Sequence, residues 1–298
     1  MSVEFTPVVV GLGEVLWDIY PEGKQFGGAP ANFAYHAAAL GAEAFVISAV
    51  GDDDLGREIL GRLQSLGQST RYILIDSRHP TGTVTVELDA DGKPYYVIHE
   101  EVAWDVIPPK AIFSEPIDAA RAVCFGSLAQ RSPVSRATIR DLVSSTSEDC
   151  LRVFDVNLRQ HFFGRDVICR GLETSHIVKL NDEELPIIAE LADIDSDGEA
   201  ALEALVDHYQ LDLIAMTRGS RGSLLISPEE RSDHPGFKAT VVDTVGAGDS
   251  FTAAVTLGML AGWELGQIND AANRVAAYVC GQPGATPKLP EELARLFQ

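Results

Sequence analysis

The residues best suited to chemistry lie in Val241-Val242-Asp243-Thr244-Val245-Gly246-Ala247-Gly248-Asp249-Ser250-Phe251. A β-branched run enters as a strand or extended segment and turns through Gly246 and Gly248. It continues from Phe251 to Leu260 as an apolar run that reads as a buried helix. A glycine loop before a helix leaves backbone N–H groups unpaired at the positive end of the helix dipole. With no side chains at Gly246 and Gly248, an anion can approach that backbone closely. Asp249 falls in the first turn, where the dipole favours its ionised form. An anion cradle beside a carboxylate suits phosphoryl transfer to an alcohol: the base takes the hydroxyl proton while the N–H groups hold the charge on the phosphoryl. A plain glycine turn with an acidic helix cap fits the same Gly-x-Gly-Asp, so this pattern alone leaves both readings open.

The elements that must position the loop alternate in type. Val8 to Leu16 reads as a buried strand and turn. Gly27 to Ala34 opens a helix running to Leu40, with Pro30 suited to its first position and Gly41 to its stop. Ala44 to Gly51 is a strand, and Asp52 to Gly56 cap a helix near Arg57 to Leu66. This β-α-β-α order predicts a parallel sheet covered by helices. Ala122 to Leu128, Leu151 to Arg159, His176 to Leu180 and Leu213 to Met216 add core strands. Asp155, Asn157 and Arg159 alternate, so they share one side, and polar residues at such a strand end mark a binding crevice. A salt-bridged structural Arg159 is the alternative. Residues 71–105 differ: Thr83 to Leu88 alternates at period two, Asp89-Ala90-Asp91-Gly92 reads as a hairpin turn, and Lys93 to His99 returns. That is a small β-sheet lid outside the βα core, and a half-buried sheet needs a partner surface. Glu100 to Asp105 closes the lid, or Trp104 simply packs at its hinge.

Composition narrows the partners. The net charge of −21 on 298 residues argues against nucleic acid or an anionic membrane. An anionic substrate must then be met by local cations, backbone N–H groups and metal. No apolar run reaches the ~18 residues that span a bilayer, and no basic n-region marks a signal peptide. The cysteines at 124, 150, 169 and 280 fit no zinc or C-x-x-C spacing and are expected to be reduced thiols of a cytoplasmic protein. Gly11-Leu12-Gly13 is not a dinucleotide fingerprint, because its third glycine would fall at Leu16. No G-x-x-x-x-G-K-[ST] loop exists in the chain.

The string Asp-Thr-x-Gly-Ala-Gly-Asp-x-Phe at 243–251 resembles the C-terminal signature of the ribokinase-like, or PfkB, carbohydrate kinase family. Gly27-Gly28-Ala29-Pro30-Ala31-Asn32 resembles its N-terminal signature, in wording closest to fructokinase-like members. The likeness covers essentially the whole chain. It implies one domain over 1–298: an α/β three-layer α/β/α core, Rossmann-like in winding with a mostly parallel sheet, and a β lid formed mainly by 71–105 that serves as a homodimer contact. It implies that Asp249 is the catalytic base and that the Gly246-Ala247-Gly248-Asp249 backbone is the anion hole. Asp18, Gly27, Gly28 and Asn32 would line the sugar site; a carboxylate such as Asp18 accepts two hydroxyls well, although a lone Asp near a turn is also an ordinary turn residue. Asp155-x-Asn157-x-Arg159 resembles the fructokinase and ketodeoxygluconate kinase branch, where Asn157 would join the substrate site and Arg159 would meet a phosphate or substrate oxygen.

Asn181-Asp182-Glu183-Glu184 resembles the family's Asn-x-x-Glu motif. The likeness implies that Asn181 contacts the nucleotide side and that Glu184 places Mg²⁺ through water, with Asp182 and Glu183 simply opening a helix. Thr217-Arg218-Gly219-Ser220-Arg221-Gly222 resembles the nucleotide-phosphate turn, or is a plain hairpin. Asn273 lies near adenine or in a core helix. Asp243, Val245 and Ala285 correspond to the family's monovalent-cation region, implying K⁺. The expected reaction is ATP-dependent phosphorylation of a primary sugar hydroxyl. Fructose leads over 2-keto-3-deoxygluconate, because Tyr95 to Glu101 offers no Arg and ends in two acids beside the lid. A nucleoside kinase of the same family, and a non-catalytic sugar or nucleotide sensor, are the rivals.

Overall fold

The computed structural model describes residues 6–21, 23–88 and 94–297. The strands are β1 (Val8–Leu12), β2 (Leu16–Tyr20), β3 (Gly23–Gly27), β4 (Glu43–Gly51), β5 (Ile73–Asp76), β6 (Thr83–Leu88), β7 (Pro94–Ile98), β8 (Ala122–Gly126), β9 (Leu151–Asp155), β10 (Ile177–Asn181), β11 (Leu213–Thr217), β12 (Ser223–Ile226) and β13 (Arg231–His234). The helices are α1 (Ala29–Ala39), α2 (Asp54–Ser65), α3 (Ser114–Ala119), α4 (Pro133–Ser144), α5 (Arg165–Thr174), α6 (Leu185–Leu191), α7 (Gly198–Tyr209), α8 (Ala247–Leu260), α9 (Leu265–Cys280) and α10 (Glu291–Ala294).

One sheet runs β13-β12-β11-β10-β9-β8-β1-β4-β5, parallel from β11 to β5, with β12 and β13 antiparallel at one edge. Its strands are apolar on both faces because helices cover both. Val9, Val153, Ile177 and Leu213 point into one core with α1, α2, α8 and α9, while Val10, Phe154, Val178 and Ile214 point into the other with α4, α5, α6 and α7. The expected three layers are therefore present. Asp53, rather than the Asp52–Gly56 run as a whole, caps α2: its Oδ1 accepts from Gly56 N at 2.7 Å.

A second sheet has the order β3-β2-β6-β7. It is mixed, since β2 and β6 pair in parallel while its outer pairs are antiparallel. The expected lid boundaries are corrected here. Residues 16–27 supply half of this sheet, whereas β5 pairs with β4 in the large sheet. Residues 103–106 form a 3₁₀ turn whose Trp104 is fully buried in the core, against Gly82 at the entry to β6, so it packs there rather than closing the lid. The expected turn at Asp89–Gly92, with Lys93, lies outside the described residues. The Val241-Val242 run forms no strand and bends at Val242; both valines are exposed, and the segment is tethered by Val242 N to Cys280 O at 2.9 Å. The cysteines are unpaired. Among the described residues no helix is long and apolar enough to cross a membrane.

Candidate active site

The strand ends of the large sheet and the inner face of the small one enclose a cavity of about 860 Å³. Glu14, Asn157, Arg159, Lys179, the Thr244–Gly246 turn and the α8 residues Gly248 and Asp249 line it from the core; Leu16, Asp18, Val84, Tyr96 and Ile98 line it from the small sheet. Its position at the C-terminal ends of parallel strands is where α/β sheets bind ligands, and its size suits a small-molecule site.

Asp249 stands in the first turn of α8, whose N-cap Gly246 has φ 79°. That left-handed turn favours glycine, and space requires it too: a Cβ at 246 would lie 2.4 Å from Ala285 O. The loop is thereby pressed against residues 284–285. Asp243 secures the same junction, Oδ1 accepting from Val245 N at 3.0 Å and Oδ2 from Gly284 N at 3.1 Å. Ala285 O lies 2.9 Å from His36 Nε2. Burial lowers the His36 imidazole to about 4, so it is neutral and its Nε2–H donates. Asp243, Val245 and Ala285 are thus brought together, as the sequence leads one to expect.

The Asp249 carboxylate faces the cavity and accepts from Asn32 Nδ2 at 2.8 Å. Burial raises this carboxyl to about 6; Asp155 pushes it the same way, while the Asn32 hydrogen bond, Lys179 and Arg159 oppose the rise. Beneath the loop, Lys179 Nζ bonds Asp155 Oδ1 at 3.0 Å, and Thr252 Oγ1 donates to Asp155 Oδ2 at 2.8 Å. A Cβ on Gly248 would sit 3.1 Å from Lys179 Nζ, so the ammonium underlies the glycine loop. Burial pulls its pKa down, but Asp155, Glu184 and Asp249 outweigh that and hold it above the ordinary lysine value. This corrects the strand-alternation reading. β9 ends at Asp155, and Asn157 has φ 42°. The period of two therefore breaks: Asn157 and Arg159 line the cavity, whereas Asp155 is buried below it.

Asn32, on α1 beside Asp249, and Asp18, on β2 of the small sheet, face the same space. Burial raises the Asp18 carboxyl to about 6, with Arg159 lowering it and Asp243 raising it. Gly27 pairs with Leu16 in the β2–β3 register, and a Cβ there would lie 2.7 Å from Asp18 Oδ2. Gly28 has φ 117°, and a Cβ there would meet Glu14 O at 2.4 Å. Among the described residues Arg159 makes no ion pair; it is exposed and donates to Leu158 O at 3.0 Å, which corrects the salt-bridge alternative.

The residues expected on the nucleotide side lie outside this cavity lining. Asn181 and Thr217 are register neighbours at the adjoining ends of β10 and β11. Asn181 Oδ1 accepts from Glu183 N and Glu184 N at 2.9 and 2.8 Å. Glu184 Oε1 accepts from Leu158 N at 2.7 Å and its Oε2 from Asn181 N at 2.8 Å, so this buried carboxylate ties two strand exits together. The 217–222 segment is a hairpin between antiparallel β11 and β12, with Gly219 and Gly222 in its turn. Two expectations are corrected by side-chain commitments. Arg218 is paired with Asp233 and donates to Ser223 O at 3.0 Å. Asn273 Nδ2 donates to Ser223 Oγ at 2.7 Å and to Asn269 Oδ1 at 2.9 Å. Both hold the β12–β13 edge in place.

Sequence reasoning missed Glu14, Lys179 and Gln160, all cavity-lining. Glu14 directly follows Gly11-Leu12-Gly13, four positions before Asp18, and that strand-end placement was a usable signal. Lys179, a charge inside an apolar strand, was another. Gln160 had none; it reaches the cavity with φ 50° and its amide donates to Tyr96 O, linking core to small sheet.

Comparison with known proteins gives a consistent result. Residues 21–292 match the model of the pfkB family carbohydrate kinases. A fructokinase of Klebsiella pneumoniae is 31% identical over 298 residues, covering 93% of this chain and 92% of its own. A sugar kinase of Pyrococcus horikoshii, solved in complex with ATP, superimposes with a TM-score of 0.82 at 29% identity over 97% of this chain and 99% of its own. An aminoimidazole riboside kinase of Salmonella enterica shares the fold with a TM-score of 0.79 at 24% identity, covering 97% of this chain and 99% of its own. The fold is ribokinase-like α/β.

Proposed function

This chain belongs to the pfkB family of carbohydrate kinases, which are ATP-dependent phosphotransferases, and we propose that it phosphorylates a primary hydroxyl of fructose. One observation carries the choice: the cavity presents the carboxyls of Glu14, Asp18 and Asp249 together with the Asn32 amide, and Arg159 is the cation at its mouth. Carboxylates and amides suit the hydroxyls of a neutral polyol, whereas they repel a sugar acid such as 2-keto-3-deoxygluconate. Glu100 and Glu101, the two acids that end the Tyr95–Glu101 stretch, are exposed and not in the lining; the repulsion comes instead from the cavity's own carboxyls.

In this reading Asp249 Oδ2, oriented by Asn32, takes the proton of the attacking hydroxyl. The first-turn N–H groups of α8 and the Lys179 ammonium stabilise the negative charge on the transferring phosphoryl. Asn157 and Arg159 orient the reacting ends of sugar and phosphate. Asn181 and Thr217 border the nucleotide side. Mg²⁺, when bound, would neutralise charge on the phosphates of ATP. Glu184 fits a water-mediated role, since each of its oxygens has one lone pair beyond its backbone bond. A monovalent cation such as K⁺ would belong at the Asp243–Val245–Ala285 junction.

A second reading has its own support. Leu16, Val84, Ile98 and Leu128 give the cavity an apolar wall, which a riboside's base could cover. ADP release measured with fructose, 2-keto-3-deoxygluconate and a purine nucleoside at matched concentrations separates these. Fructose is expected to give the highest rate. A preference for the sugar acid, or a strong nucleoside response with none to fructose, contradicts the assignment.

A further inference from the structure

Glu14 has no part in the proton transfer or in phosphoryl stabilisation, yet it is built into the cavity. It stands in the turn between β1 and β2, only 3% exposed, and its Oε2 has no hydrogen-bond partner. The other titratable cavity carboxyls, Asp18 and Asp249, share that space. Backbone N–H groups of Glu14 itself and Ala29 act on the carboxyl, and the Gly28 backbone abuts the Glu14 carbonyl, so the main chain fixes where the side chain sits. A buried carboxyl oxygen left unpaired costs stability and is uncommon in native proteins. Its contact with the Ala29 N–H at the start of α1 is a structural tie, but among the described residues Glu14 forms no ion pair and its Oε2 stays unpartnered, so a purely structural role does not account for that oxygen.

We propose that Glu14 Oε2 hydrogen-bonds a hydroxyl of the acceptor sugar, making Glu14 a specificity-determining residue beside Asp18 and Asn32. The proposal rests on the reading of this cavity as the sugar site, but not on which sugar occupies it. Burial raises the Glu14 carboxyl to about 7, so near neutral pH it has substantial acid character. A carboxylic acid both donates and accepts, and a hydroxyl can meet it either way. A site built to bond a hydroxyl discriminates strongly against the analogue lacking it, because the buried group is then left unpaired.

The test combines Glu14→Leu with a set of monodeoxy fructoses, using ATP as phosphoryl donor. Leucine removes the hydrogen bond and retains bulk. KM for fructose is expected to rise roughly 10-fold or more, with KM for ATP and the melting temperature maintained. For one deoxy analogue alone, wild type and variant should converge in kcat/KM, which a merely structural residue would not produce. An unchanged KM for fructose, or an equal penalty across every analogue, overturns the proposal. If the leucine variant does not fold, Glu14→Gln goes through the same series: a penalty that vanishes for one analogue only supports the bond, and no such selectivity refutes it. If wild type prefers a sugar other than fructose, the fructose assignment fails, and the deoxy series of the preferred sugar still decides the role of Glu14.

Discussion

Replacing Asp249 by asparagine is expected to lower kcat by about 10²–10⁴-fold while ATP binding survives. The amide is nearly isosteric and its oxygen can keep the Asn32 hydrogen bond, now 2.8 Å, so geometry is conserved and basicity is removed. The pH profile carries the same information. Burial holds the Asp249 carboxyl at about 6, so kcat/KM of the wild type should fall as pH drops through about 6. Asp18 is also raised to about 6, so the fall should be steeper than loss of one proton, and the apparent values belong to the coupled set. In Asp249→Asn the limb due to residue 249 should vanish from the residual rate. The variant should also be more stable than wild type above about pH 6. A carboxyl whose pKa rises from 3.8 to about 6 on folding costs stability as pH climbs between those values, and that cost persists above them. Near-normal turnover would remove Asp249 from the mechanism.

The second large effect is expected at Lys179→Met. Lys179 and Asp155 are 7% and 4% exposed and bonded at 3.0 Å. Removing one partner leaves the other charge buried and uncompensated, which costs roughly 3–5 kcal/mol. Denaturant unfolding should report that loss, and Lys179→Met combined with Asp155→Asn should recover part of it. Activity should fall independently of stability. The ammonium lowers the Asp249 pKa, so in the variant the acid limb should move above about 6, and the glycine loop loses the cation beneath it. A variant with wild-type stability and an unmoved limb contradicts both roles.

The parts of this site that were legible in the sequence are those where local chemistry dictates local geometry. Gly246 and Gly248 before an apolar run specify a loop and helix start, and Gly28-x-Pro30 specifies another, with Pro30 at the second rather than the expected first helical position, because positive φ, close approach and a proline in the first turn are local demands. Long-range pairing was not legible. Val8 to Leu16 reads as a strand and turn, but the strand Leu16–Tyr20 that follows pairs with β6 more than sixty residues on. Asn157 broke an expected alternation through one left-handed residue. Arg218 and Asn273 carried family-like positions, but their partners come from β13 and the Ser223–Asn269 cluster, which no local pattern announces. Glu14 and Lys179 became functional candidates only when burial and cavity position were known.

The most direct measurement of the central claim is the phosphorus NMR spectrum of the product formed from ATP and fructose. Transfer to a primary hydroxyl places the phosphate on a CH₂ carbon, so the sugar-phosphate phosphorus should appear as a triplet coupled to two equivalent-type protons, and it should form at the rate ADP is released. A doublet, which marks a secondary hydroxyl, or inorganic phosphate with no sugar phosphate, would contradict a cavity in which Asp249 deprotonates a primary sugar hydroxyl.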